Sequence, residues 1–204
     1  MSFFKTNDNV NIYYEIKGQG KPILFISGWS MGASILWSYI ELFGNKRISK
    51  LVSVDQSPAQ YIGPDWKWGQ TGCYDVEAFV RLCGDLTYAE RQAAEGTVRA
   101  CLNHRPKEDE LNFLVEEIMK CPANVKIEIM RDHTNLDWRD FLPYINMPTL
   151  VCVGRESQVF PWQGSAYVGE KIKGARTEFF ENCSHMLFWD EAEKFNNLIK
   201  EFVG

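Results

Sequence analysis

Residues 21–34 read KPILFISGWSMGAS, and the prediction of the fold starts from this stretch. An apolar run at 22–27 leads into GWSMG at 28–32, which has the pattern Gly-x-Ser-x-Gly, and helical apolar spacing follows over 32–43. Such a pattern places its serine on a sharp turn between a buried strand and a helix. Small glycines leave room for the turn, and the helix N-terminus favours a developing oxyanion. The stretch therefore makes Ser30 a candidate nucleophile.

The composition is that of an ordinary globular protein. The chain has 204 residues, of which 45% are hydrophobic and 24% charged, and its formal net charge is −5. A negative balance argues against a nucleic-acid partner, which would call for a basic face. No apolar run reaches the length of a membrane span, and the start MSFFKTNDNV lacks the features of a signal peptide. We expect a cytoplasmic protein that binds neither nucleic acid nor membrane.

The cysteines show no pattern of a metal site or a redox motif. None of the six forms a C-x-x-C pair, and no Cys/His cluster has zinc-ligand spacing. We expect them to be reduced and partly buried, and we expect neither a metal nor a cofactor.

Alternating strand and helix signals indicate an α/β fold with a mostly parallel sheet and helices on both faces. The predicted strands are 3–6, 10–16, 22–27, 51–54, 149–153 and 177–180. The predicted helices are 32–43, which Gly44 ends, 75–84, 87–103, 107–120, 164–172 and 191–202, with Thr87-x-x-Glu90 as a capping box. Because strand signals are missing from 61–140, we call this region the helical insert and predict three parts: core at 1–60, a helical cap at 61–140, and core again at 141–204.

Three side chains suited to acyl transfer follow three of these strands. Ser30 follows 22–27, Asp55 follows 51–54, and His185 lies shortly after 177–180. Since functional sites in such sheets lie at the carboxyl ends of the strands, the three are expected to meet. A base takes the proton of the serine, and an acid holds the imidazole in the correct tautomer.

The other two histidines lie within the helical insert. His104 and His133 are interpreted as solvated or capping residues rather than as catalytic groups. His185 is thus the one histidine that the pattern assigns to the chemistry.

The chain resembles the α/β-hydrolase superfamily, in its small esterase-like, haloperoxidase-like and C–C-hydrolase-like branches. IYYEIKGQGKPILFI at 12–26 resembles the N-terminal hairpin and third strand of that family. GWSMGASILWSYIELFGNKRISKLVSVDQSP at 28–58 resembles its nucleophile elbow, next helix and sixth strand. MPTLVCVGRESQVFP at 147–161 and TEFFENCSHMLFWDEAEKFNNLIKEF at 177–202 resemble its seventh and eighth strands and histidine loop, and 61–140 resembles its cap.

The resemblance implies a serine hydrolase that acts on a small acyl or ester substrate without a cofactor. Ser30 would be the nucleophile, His185 the general base and then acid, and the Met31 N–H an oxyanion-hole donor. The acid that orients His185 is considered separately below.

The resemblance also implies an apolar substrate pocket lined by tryptophans. Trp29, Trp66 and Trp138 are the candidates for this role. Trp66 and Trp138 have the alternative interpretation of plain core residues of the cap.

The chain departs from the family before the elbow. The family has a loop, a helix, a strand and another helix between its third strand and the elbow strand, whereas here 22–27 runs directly into the elbow. The sheet would shrink to about six strands, with 10–16 pairing antiparallel to 22–27. The loop that donates the second oxyanion-hole N–H would be lost, at a typical cost of about 3–4 kcal/mol in the transition state. An exposed sheet edge would favour a homodimer.

This departure leaves two further interpretations open. A hydrolase-fold protein with impaired or no catalysis could bind a small molecule or a partner instead. The sequence could also be a discontinuous record of a longer protein, which a mass measurement would reveal.

The second departure concerns the acid. Ser157 stands where the family usually has Asp, and Glu156 is its neighbour. Some members place the acid after the sixth strand, where this chain has Asp55. We favour Asp55 and keep Glu156 as the alternative. Asp55 could also simply cap the turn before Ser57 and Pro58.

Overall fold

The described residues of this computed structural model are 2–5, 9, 11–14 and 28–204. The predicted strand 22–27 and its pairing with 10–16 lie outside them. Strands β1 (Ser2–Lys5) and β2 (Asn11–Tyr14) form an antiparallel hairpin, which confirms the predicted pair of strands at the start of the chain.

A parallel sheet places the candidate residues at one edge. Its strands β3 (Leu51–Val54), β4 (Thr149–Gly154) and β5 (Arg176–Phe180) lie in the order β3-β4-β5. Trp29 forms a further parallel bridge with Val54. The Val54 N–H donates to the Gly28 carbonyl, and the Val54 carbonyl accepts from the Ser30 N–H. The segment that carries Ser30 therefore runs beside β3, on the side away from β4.

Helices occupy the predicted positions, and the structure adds two that were not predicted. The helices are α1 (Met31–Phe43), α2 (Val76–Tyr88), α3 (Glu90–Cys101), α4 (Glu108–Met119), α5 (Ala123–Thr134), α6 (Trp162–Lys171), α7 (Leu187–Asp190) and α8 (Ala192–Val203), with short 3₁₀ turns at Asn45–Arg47 and Leu142–Tyr144. Helix α5 was not predicted because Val125, Ile127 and Ile129 alternate at period two, so its helical apolar spacing is weak. Helix α7 has only four residues, which are too few to show the apolar spacing of a helix.

The predicted capping box at Thr87 and Glu90 is wrong. Helix α2 continues through Thr87, whose hydroxyl donates to the Cys83 carbonyl at 2.6 Å. Helix α3 begins after Ala89, which has no side-chain cap. The hydroxyl bonds back into its own helix, a common alternative for Thr near a helix end.

Both faces of the parallel sheet are covered, as the α/β prediction required. Every residue of β4 is buried. Val151 and Val153 join the core cluster formed with helices α1 and α6, whereas Leu150 and Cys152 join the cluster formed with α8. Alternate residues of one strand thus face two helical layers. Among the helices in the described part of the chain, none is both long and apolar enough for a membrane span.

Candidate active site

The turn at Ser30 is tight and strained. Its φ of 51° and ψ of −135° lie in a region that non-glycine residues rarely adopt. The Ser30 N–H donates to the Val54 carbonyl at 2.9 Å, which ties the turn to β3. A Cβ on Gly28 would lie 2.1 Å from the Val52 carbonyl oxygen, so only glycine permits this approach. The glycine before the serine therefore lets the turn lie against the strand.

The N-terminus of α1 lies directly behind Ser30. Met31 is the first residue of that helix, and within residues 28–204 its N–H donates to no backbone carbonyl. The first N–H groups of a helix lack partners inside the helix and carry partial positive charge. The Met31 N–H is thus suited to receive an oxyanion.

Asp55 and His185 meet at the carboxyl ends of β3 and β5. His185 Nδ1 lies 2.8 Å from Asp55 Oδ2, and the two side chains are 3% and 0% exposed. Asp55 also has a positive φ, 46°, directly after its strand. A buried carboxylate at this distance holds one tautomer of the imidazole.

Three further donors surround the Asp55 carboxylate. Ser157 Oγ donates to Oδ2 at 2.6 Å, while Ser165 Oγ and the Gly154 N–H donate to Oδ1 at 3.0 and 3.3 Å. A buried charge is tolerated when it is fully hydrogen-bonded in this way. Ser157, at the position where the family usually has its acid, therefore contacts Asp55 here.

Glu156 is not joined to His185. Its side chain is exposed, and its backbone N–H donates to the Cys183 carbonyl at 3.0 Å. Of the two candidate acids, the structure brings only Asp55 to the histidine.

Aromatic rings enclose the histidine. The Trp29 ring lies 5.0 Å and the Phe160 ring 5.6 Å from that of His185, and Trp29 Nε1 donates to the His185 carbonyl at 2.9 Å. Trp29 thereby links the Ser30 turn to residues 181–186, the histidine loop between β5 and α7. Within the described residues, Ser30 Oγ makes no hydrogen bond to His185 Nε2, and such contacts are often long before substrate binds.

A profile of the alpha/beta hydrolase fold matches residues 2–192. The chain belongs to the α/β-hydrolase fold family. The chain is 26% identical to a pimeloyl-[acyl-carrier protein] methyl ester esterase of Vibrio campbellii, over 87% of this chain and 69% of that one. It is 39% identical to a proline iminopeptidase of Saccharolobus solfataricus, over 33% of this chain and 22% of that one.

Solved structures share its fold. An esterase from Exiguobacterium antarcticum superposes with a TM-score of 0.80 at 24% identity, over 87% of this chain and 65% of the esterase. A bromoperoxidase from Bacillus anthracis gives 0.78 at 19% identity, over 86% and 65%. The chain thus spans about two thirds of the length of these proteins, and much less of the iminopeptidase.

Of the three candidate pocket tryptophans, only Trp29 contacts His185. Trp66 is 3% exposed, donates from Nε1 to the Ala59 carbonyl, and packs edge-on against Trp68 and Tyr167. Trp138 is 5% exposed and belongs to the core cluster of α1 and α6. The positions of Trp66 and Trp138 favour the alternative interpretation, that they are core residues.

The interpretation of His133 as a solvated or capping residue is wrong. Its side chain is 4% exposed, and burial lowers its pKa to about 4. The weak helical apolar spacing of α5 gave no indication of which of its faces is buried, so the burial of His133 could not be predicted.

No metal site is found in the part of the chain that the structure describes, where no group of three or more His, Cys, Asp or Glu side chains could hold an ion. All six cysteines are free, as expected.

Gly154 lets the histidine loop approach β4. A Cβ at this position would lie 2.2 Å from the Ser184 carbonyl oxygen and 3.0 Å from that of Cys183. We expect Gly154→Ala to push this loop away and to cost about 1–3 kcal/mol in the free energy of unfolding. That corresponds to a melting temperature about 2–12 °C lower.

Gly96→Ala is the matched control, because Gly96 lies in α3 and a Cβ there would meet nothing within 4 Å. Thermal unfolding of both variants tests the prediction. Equal melting temperatures for Gly154→Ala and the parent would show that the loop is not held this closely.

Proposed function

We propose that the protein is a serine hydrolase of carboxylic esters or related acyl compounds, with Ser30, His185 and Asp55 as its triad. One observation carries the proposal: the buried 2.8 Å contact of Asp55 with His185, next to a strained serine turn at a helix N-terminus. The esterases among its relatives and structural neighbours support an ester substrate. The cytoplasmic location and the homodimer stay predictions.

Each triad residue has one role in this mechanism. Ser30 Oγ attacks the acyl carbonyl while His185 Nε2 takes its proton, and the same nitrogen later protonates the leaving group. The His185 Nδ1–H donates to Asp55, which stays ionised and stabilises the imidazolium. The Met31 N–H and the N-terminus of α1 stabilise the oxyanion.

An apolar acyl or alcohol group fits the surroundings of His185. Trp29 lies between the His185 ring and Phe188, whose ring is 5.3 Å away and edge-on. Phe160 adds a third aromatic ring next to the histidine. Small apolar esters suit these walls better than charged substrates.

The shortened connection before the elbow favours the other candidate function, a hydrolase-fold protein that binds without turnover. A single oxyanion donor would leave the tetrahedral intermediate less stable than in a complete site. The test must therefore report on the reactivity of Ser30 itself.

A fluorophosphonate probe should label Ser30, because it reacts with serines that an adjacent base activates. Intact-mass spectrometry should find one probe per chain, and peptide mapping should locate it at Ser30. Ser30→Ala should remain unlabelled, whereas Ser38→Ala, in the middle of α1, should label like the parent. A parent protein that takes up no probe would favour the binding protein.

A further inference from the structure

His104 lies between two carboxylates from different parts of the chain. Its Nδ1 is 3.2 Å from Asp190 Oδ1, and its Nε2 is 3.1 Å from both oxygens of Glu110. Glu110 belongs to α4 of the helical insert, whereas Asp190 ends α7, just after the histidine loop. The imidazole therefore bridges the insert and the segment that carries His185.

Asp190 holds the backbone beside His185. Its side chain is 3% exposed, and its Oδ2 accepts from the Ser184 N–H at 2.9 Å. The Asn103 N–H donates to both carboxylate oxygens at 3.1 and 3.2 Å. Ser184 directly precedes His185, so a displacement of Asp190 would be passed to His185 through one peptide unit.

Other hydrogen bonds also join the helical insert to the segment that carries His185. The Met186 N–H donates to the Cys101 carbonyl at 2.9 Å, and Ser184 Oγ donates to the Ala100 carbonyl at 2.7 Å. Trp189 Nε1 donates to Glu110 Oε1 at 2.6 Å. None of these three donors titrates between pH 5 and 9. His104 is therefore the group whose protonation makes these contacts depend on pH.

The two carboxylates that face His104 favour its imidazolium. Glu110 from α4 and Asp190 from α7 are negative, whereas Arg99 from α3 and Arg105, which line the same surface cavity, are positive and oppose it. The hydrogen bond to Glu110 is the largest cause that raises the pKa of His104 above its ordinary value. Partial burial opposes it, and the charge of Glu110 and the contact with Asp190 add to it.

We propose that His104 is a positioning residue for His185: its imidazolium ties Asp190 to Glu110 and so fixes the histidine loop against the helical insert. The proposal rests on the hydrolase function proposed above. Stabilisation from a raised pKa is fully present below the ordinary pKa of about 6.5 and is lost as the pH rises through the raised value. The loop is thus held below the ordinary pKa of histidine and loosened as the pH rises through the raised pKa of His104.

Two variants of His104 separate charge from shape. His104→Gln is neutral at every pH, and His104→Arg stays a cation. At pH 6 the parent should melt about 2 °C above His104→Gln, and this difference should vanish above the raised pKa. The melting temperature of His104→Arg should show no such pH step. Glu110→Gln should behave like His104→Gln, whereas Asp109→Asn, its neighbour on α4, should follow the parent.

Turnover provides the second measurement. At pH 6.5 kcat/KM of His104→Gln should be about tenfold below the parent, since small displacements of a catalytic group are costly, and His104→Arg should restore most of it. A difference in melting temperature between the parent and His104→Gln that is the same at all pH values would overturn the proposed bridge from Asp190 through His104 to Glu110. Equal kcat/KM values despite a pH-dependent melting difference would overturn the positioning role. An unlabelled Ser30 with a normal melting difference would instead reject the hydrolase function.

Discussion

Replacing Ser30 with alanine should reduce the hydrolysis of p-nitrophenyl acetate to the uncatalysed rate. Loss of a triad nucleophile typically lowers kcat by about 10⁶-fold, because no other group can form the acyl-enzyme. Folding should hardly change: Ser30 makes no side-chain cap to α1, and its free energy of unfolding should move by less than about 0.5 kcal/mol. Initial rates and thermal unfolding of the same preparation measure both effects.

Two further variants make this result specific. His185→Ala should be nearly as inactive as Ser30→Ala, because triad residues act as a unit. Ser38→Ala removes a hydroxyl from the same helix α1 and should keep the parent rate. Esterase activity that survives Ser30→Ala would reject this serine as the nucleophile.

Replacing Asp55 with asparagine should lower kcat by about 10⁴-fold, as expected when the orienting acid of a triad becomes an amide. His185 Nδ1 lies 2.8 Å from Asp55 Oδ2. An amide NH₂ at this point favours the tautomer with a bare Nδ1, which leaves Nε2 protonated and unable to accept the proton of Ser30. The loss should appear in kcat with little change in KM.

Glu156→Gln is the matched control, because it removes a carboxylate from the adjacent loop. Its side chain is exposed, so we expect a rate within about twofold of the parent. A large loss in Glu156→Gln together with an active Asp55→Asn would transfer the role of acid to Glu156. If neither change lowers the rate, the hydrolysis does not depend on a carboxylate partner of His185, and the proposed triad is rejected.

Local sequence patterns predicted the sheet and the helices next to the site. The strand at 51–54 matches its prediction residue for residue, because a short, mostly apolar run such as Leu-Val-Ser-Val, followed by turn residues, is typical of a buried strand. Helix α1 ends at Phe43, where Gly44 adopts a φ of 75° that favours glycine. The contact of Asp55 with His185 could be predicted because both follow strands of one parallel sheet.

Other contacts between distant parts of the chain could not be predicted. Ser165 lies in α6, 110 residues after Asp55, and nothing around it marks a donor to a buried carboxylate. His104 and Asp190 are separated by 86 residues, and the charged sequence around His104 is typical of a solvated surface. Such contacts depend on how the helical insert packs against the histidine loop, which no local pattern encodes.

The hydroxyl of Ser157 has a consequence for how such a site can evolve. It lies 2.6 Å from the same Asp55 oxygen that contacts His185, so the ends of β3 and β4 converge on one point in space. A carboxylate that arose at position 157 would lie beside the Asp55 oxygen that contacts the imidazole. In the proposed triad, the role of the acid could thus pass from one strand to its neighbour through an intermediate that carries both carboxylates, with one proton shared between them.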